Sequence, residues 1–186
     1  MAARDTIIAE GIRRREESRD PATMRGIDRV EIAVRDGLSY EARNPHEPDS
    51  VMRVGEPVDR GGDGSGASPL SHFLTGAGAC LLNQFVRVAI TEGLPLSFEG
   101  ASVRGEFRRE AGGRIQRVAC EVRATGSIDE ATAEALMARA ERLCYVHQTL
   151  VAAVEMTTVL VVDGQTVARH VSGPEGGLSP APRSPG

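Results

Sequence analysis

Apolar residues crowd most densely between positions 68 and 92, in the run SPLSHFLTGAGACLLNQFVRVAITE. Ser68 suits an N-cap, Pro69 suits the first helical position, and Gly93 and Pro95 suit a stop, so the run predicts one long helix. Phe73, Ala77, Cys80, Gln84 and Val88 recur at helical spacing and predict a shared face. Gly76 to Ala79 carry no bulky side chain, a surface that another backbone can approach closely. His72, Asn83, Gln84 and Arg87 interrupt the apolar run, which argues for a buried central helix rather than a membrane span.

Elsewhere the pattern alternates. Val30, Ile32 and Val34 against Arg29, Glu31 and Arg35 predict a half-buried strand, turning at Asp36-Gly37 into a return strand over Leu38 to Ala42. A third strand is expected at Val51 to Val54, followed by a flexible glycine loop from Gly61 to Ala67. Two more strands, Ala101 to Arg108 and Gln116 to Ala124, are expected to join at Gly112-Gly113, with Val118, Cys120 and Val122 facing inward. Ser127 with Glu130 resembles a capping box and opens a second long helix, whose stripe is Ala133, Leu136, Met137, Ala140, Leu143 and Cys144. Thr157 to Val162, a turn at Asp163-Gly164, and Gln165 to Val171 predict a final hairpin. Strands, helix, strands, helix, strands give an α+β class. Residues 1–25 form a charged N-terminal arm, 26–171 the folded domain, and 172–186 a Pro, Gly and Ser tail expected to be disordered.

Composition narrows the functions. No lysine is present, so all 22 basic residues are arginine, which excludes lysine Schiff-base chemistry and the lysine of a phosphate loop. A formal net charge of −4 gives no expectation of nucleic-acid binding. Three cysteines without a secretory leader predict a cytoplasmic chain with free or redox-active thiols.

Gly62, Gly64 and Ala67 match a dinucleotide-loop spacing, but Gly55 to Arg60 before them is no buried strand, so that reading fails. Cys144 and His147 stand three apart, yet the chain has neither a Cys-x-x-Cys nor a His-x-x-x-His pair, so a metal site ranks low. Cys120 reads as a buried structural thiol. Cys80 and Cys144 each lie on an apolar stripe. They are either two small core residues or, where the helices pack together, thiols that meet.

Ser68-Pro69 with Leu74 and Gly78-Ala79-Cys80, together with Leu143-Cys144-Tyr145-Val146 and Thr149-Leu150, resemble the two cysteine motifs of the OsmC/Ohr family, over about Arg29 to Asp163. The resemblance implies an intertwined homodimer of antiparallel sheets around two long central helices. It implies a thiol peroxidase that reduces organic hydroperoxides without metal or cofactor. Cys80 would be the peroxidatic thiol, Cys144 the resolving thiol, and a dithiol such as a lipoyl protein the reductant. Arg35 is the nearest match to the family's activating arginine, with Arg43 behind it. Leu70 and Ser71 stand where the family carries a glutamate, and Tyr145 where it carries a proline. Glu56 is a candidate replacement for that carboxylate. These departures predict slower turnover, and they keep open a second function: a redox-silent member that binds a small apolar ligand at the dimer interface.

Overall fold

The computed structural model describes residues 6, 9–14, 28–108 and 113–174. Residues 6 and 9–14 of the expected arm are helical; the rest of the arm before residue 28, most of the expected tail, and Gly112 lie outside the described residues. The chain divides into two compact units, Glu17–Thr75 and a second made of Met1–Glu16 with Gly76–Gly186.

In the first unit, β1 (Glu31–Asp36), β2 (Ser39–Asn44) and β3 (Glu47–Gly55) form an antiparallel meander. The β1–β2 turn closes with Asp36 opposite Ser39, and Gly37 takes φ 51° there. Pairing sets Ile32, Ala42 and Met52 in one row and Val34, Tyr40 and Val54 in the next, so one face of the sheet is apolar. On that face Ala42 is buried, but β1 itself is not half-buried as the alternation predicts. Every residue of β1 is exposed, and Ile32 and Val34 are each 69% exposed, because nothing among the described residues covers them.

The glycine loop is tied down rather than free. The Gly55 amide donates to the Ala67 carbonyl at 3.0 Å and the Gly64 amide to the Glu56 carbonyl at 3.3 Å. A Cβ on Gly62 would sit 1.8 Å from the Glu56 oxygen, and one on Gly66 2.5 Å from the Arg53 oxygen. Glycine is needed here for close backbone approach, not for flexibility.

Helix α1 (Pro69–Glu92) follows the loop, and Ser68 Oγ accepts the Ser71 amide at 3.2 Å, as an N-cap does. Its buried residues are Ala77, Gly78, Leu81, Phe85, Val88 and Ala89. The core-facing arc is therefore rotated towards Leu81 and Phe85, while Phe73 is exposed and Cys80 half-buried. The predicted face shares Ala77 and Val88 with the buried set, while Phe73, Cys80 and Gln84 fall outside it. By length and composition it passes as a membrane span. Its most apolar window has mean hydropathy 1.4 and is 33% buried, which leaves much of it without cover from the described residues. At Gly78 an added Cβ would lie 2.3 Å from Val103 Cγ2, whereas one at Gly76 meets nothing within 4 Å. At Gly78 the patch thus takes in a strand side chain, while at Gly76 it is open.

In the second unit, β4 (Leu96–Arg108), β5 (Arg114–Gly126), β6 (Glu155–Val162) and β7 (Gln165–Ser172) line up in chain order. Strand β4 begins five residues before its predicted start. A register shift between Phe98 and Gly100 moves the inward set from Leu96 and Phe98 to Ala101 and Val103, which hides the alternation. The sheet is mixed rather than antiparallel: β5 pairs with β6 in parallel, Cys120 opposite Thr158. A helical crossover permits this, made of α2 (Glu130–Leu143) and α3 (Tyr145–Leu150). Asp163 and Gly164, at φ 48° and 78°, close the β6–β7 hairpin as the sequence predicts.

The cap of α2 is Asp129, which accepts the Thr132 amide at 2.7 Å, rather than Ser127. Ala133, Leu136, Met137 and Ala140 are buried as the stripe predicts, against Phe85, Val122 and Leu160 in one core cluster. Leu143 is 44% exposed instead, and Glu141 takes an inward place. The second long helix ends at 14 residues, because Cys144 leaves helical geometry at φ −86°, ψ 109°.

Candidate thiol site

Cys144 occupies the joint between α2 and α3. It closes the first helix, its amide donating to the Glu141 carbonyl at 3.2 Å, and it opens the second, its Sγ accepting the His147 amide at 3.4 Å. The break turns the thiol away from the path that a continuous helix would give it. Cys144 Sγ donates to Cys80 Sγ at 3.3 Å, across 64 residues of sequence. Cys80 is reached from α1, whose buried neighbours Ala77 and Leu81 fix the helix against the core.

Both thiols are reduced, and their environments differ. Cys144 is fully buried and Cys80 half-buried. Burial pushes the Cys144 thiol up to about 12, with the neighbouring Cys80 adding to the rise. Near neutral pH it keeps its proton and can donate it. A disulfide requires an S–S length of about 2.05 Å, so a displacement of about 1 Å separates this contact from a bond. Cys120 is also buried, and desolvation with the nearby Glu121 and Glu141 charges raises it to about 11, which suits an inert core thiol.

Behind Cys144 lies a polar group that the sequence pattern does not announce. Glu141 Oε2 accepts from His170 Nδ1 at 3.0 Å, and His147 Nε2 shares a hydrogen bond with Ser172 Oγ at 3.3 Å. Glu141 and His147 are both buried, and desolvation lowers the His147 pKa, holding the ring neutral near pH 7. The available signal was the position of Glu141, four residues after Met137 on the apolar stripe. His147, three residues after Cys144, meets it through the backbone amide, while its ring turns to β7. Among the described residues no three His, Cys, Asp or Glu side chains gather as metal donors.

Arg35 lies on β1 in the other unit. Its Nη2 donates to Glu41 Oε1 at 2.6 Å, and Arg43 Nε donates to the same oxygen at 2.7 Å. The two guanidinium groups hold the Glu41 carboxyl below its usual range. Glu56 Oε2 lies 3.9 Å from Arg60, so the carboxylate on Arg35 is Glu41 and not Glu56. His72 turns back on its own helix, with Nδ1 3.1 Å from the Ser68 carbonyl.

The OsmC family, described as OsmC-like protein, matches residues 62–159. No protein of curated function matches the chain. An OsmC-like protein from Mycoplasma pneumoniae has a similar structure at TM-score 0.64 and 14% identity, over 75% of this chain and 99% of its own. An organic hydroperoxide resistance protein OsmC from Legionella pneumophila superimposes at TM-score 0.56 and 18% identity, over 75% and 100%. The organic hydroperoxide resistance protein OhrB of Bacillus subtilis does so at TM-score 0.53 and 18% identity, over 74% and 98%. At these identities the likeness shows the fold.

Proposed function

This chain belongs to the OsmC-like family, and we propose that within it the chain acts as a thiol peroxidase on organic hydroperoxides through Cys80 and Cys144. The observation that carries the proposal is the 3.3 Å contact between a half-buried and a fully buried thiol. Cys80, the accessible member, gives up its proton and attacks the terminal peroxide oxygen as thiolate; the O–O bond breaks, leaving a sulfenic acid, and the departing alkoxide takes up a proton to leave as an alcohol. Cys144 then forms the S–S bond as the S–O bond breaks, and its proton leaves with the hydroxyl as water. A dithiol, such as that of a lipoyl protein, reduces the disulfide. Arg35, oriented by Glu41, is the candidate guanidinium for stabilising the thiolate. Free thiols of this kind suit a reducing cytoplasm.

The test is peroxide consumption in the presence of dihydrolipoamide. We expect cumene or tert-butyl hydroperoxide to be consumed faster than hydrogen peroxide, because apolar side chains pack around the thiols. Equal or slower consumption of the organic peroxides would contradict the substrate class.

The same reading includes a homodimer. The exposed Ile32, Val34 and Met52 of the first sheet, and the partly covered α1, are apolar surfaces that a second copy would bury. Sedimentation should give twice 19.8 kDa, and a stable monomer at micromolar concentration would contradict it.

A further inference from the structure

We propose that strand β7 clamps the turn that carries Cys144, with Glu141 and His147 as positioning residues held by His170 and Ser172. The inference rests on the peroxidase reading for its purpose, but not for its geometry.

His170 and Ser172 are alternate residues of β7 and so project from the same side of the strand. One engages the chain three residues before Cys144, the other three residues after it. His170 Nδ1 lies 3.0 Å from the Glu141 carboxylate, and Ser172 Oγ lies 3.3 Å from His147 Nε2. Both gripped residues bind Cys144 through their backbones, and the Gln148 amide adds a third backbone bond, to the Cys144 carbonyl at 2.9 Å. The Glu141 carbonyl accepts the Cys144 amide at 3.2 Å and the His147 amide reaches Cys144 Sγ at 3.4 Å. Gln148 Nε2 adds a bond to the same Glu141 carbonyl at 3.1 Å. Each side of the turn is thus fixed twice, once to the sulfur-bearing residue and once to the sheet.

The arrangement is a poor one for stability alone. Glu141 Oε1 and His147 Nδ1 are buried with no hydrogen-bond partner among the described residues. Apolar side chains at both positions would fill the same space without burying unpaired polar atoms. What the polar pair supplies is direction, holding one sulfur opposite another.

The test separates seating from folding. Full-length protein is equilibrated in glutathione buffers, and the fraction of Cys80–Cys144 disulfide is read by alkylation and mass. Glu141→Ala and His170→Leu should each lower the disulfide equilibrium constant about tenfold, a rise in reduction potential of about 30 mV. After organic hydroperoxide the Cys80 sulfenic acid should survive about tenfold longer to dimedone trapping, while its rate of formation stays within about twofold. Glu141→Gln keeps an acceptor for His170 and should restore the equilibrium to within about threefold. If Glu141→Ala does not fold, Ser172→Ala reads the second tie by the same measurements. An unchanged equilibrium and sulfenic-acid lifetime in these variants, even with a lowered melting temperature, would overturn the clamp. The glutathione equilibrium needs no peroxide, so failure of the peroxidase reading would show separately, as a wild type that forms the disulfide but ignores hydroperoxide.

Discussion

Replacing Cys80 by serine is expected to abolish hydroperoxide turnover, and replacing Cys144 by serine to stop it after one equivalent. The asymmetry follows from position. Cys80 is half-buried, whereas Cys144 is enclosed and pushed up to about 12 by burial, so it arrives at the reaction as a thiol. A serine hydroxyl at position 80 is a far weaker nucleophile than a thiolate and leaves nothing for Cys144 to attack. A serine at position 144 leaves the first step intact but cannot condense with the sulfenic acid, which should accumulate for dimedone to trap. Consumption of excess cumene hydroperoxide in the presence of dihydrolipoamide checks both. Repeated turnover by the Cys80 variant, or full turnover by the Cys144 variant, would reverse or remove the assigned roles.

Phe85→Ala should cost about 3–5 kcal/mol of stability, the range for deleting a fully buried aromatic ring. Phe85 is 0% exposed and sits in the cluster shared with Leu136, Met137 and Leu160. Its ring lies 6.3 Å from that of Phe98, tilted by 57°, in a chain whose aromatic content is only 3%. Few other side chains here are large enough to refill the hole. At about 2–4 °C per kcal/mol, calorimetry should record a fall in melting temperature of about 6–20 °C. A loss of less than about 1 kcal/mol would mean that the core closes around the gap. The same residue lies five positions after Cys80 on α1, so loosening it should also blur the seating of that thiol.

The class, the order of elements and the two cysteine-bearing segments were legible in the sequence because each rests on local signals. Ser68-Pro69 caps a helix wherever it goes, Asp163-Gly164 turns a hairpin, and Ala133, Leu136, Met137 and Ala140 mark one face at helical spacing. What was not legible depends on partners far along the chain. The alternation in β1 predicts an apolar face but not its cover, which the described residues do not supply. The one-residue shift at Gly100 breaks the period and conceals the first third of β4. The parallel pairing of β5 and β6 follows from where the crossover lands, not from either strand's composition.

The site divides in the same way. Cys80 and Cys144 stood out by residue type, and their contact needed the fold to bring them together. Glu141 hid because a carboxylate at the end of a helix ordinarily faces water, and only His170, 29 residues later, explains its inward place. Arg35 was named from the resemblance. The sequence offered Glu56 as its carboxylate, yet Glu41, opposite Ala33 in the hairpin, is the one that binds it.

Intact-mass spectrometry of the wild-type protein after one equivalent of cumene hydroperoxide addresses the thiol chemistry directly. The expected product has lost two hydrogens, carries one Cys80–Cys144 disulfide in peptide mapping, and regains both thiols with a dithiol. An unchanged mass, with Cys80 still open to alkylation, would contradict the peroxidase reading and leave an OsmC-like protein that binds its ligand without redox chemistry.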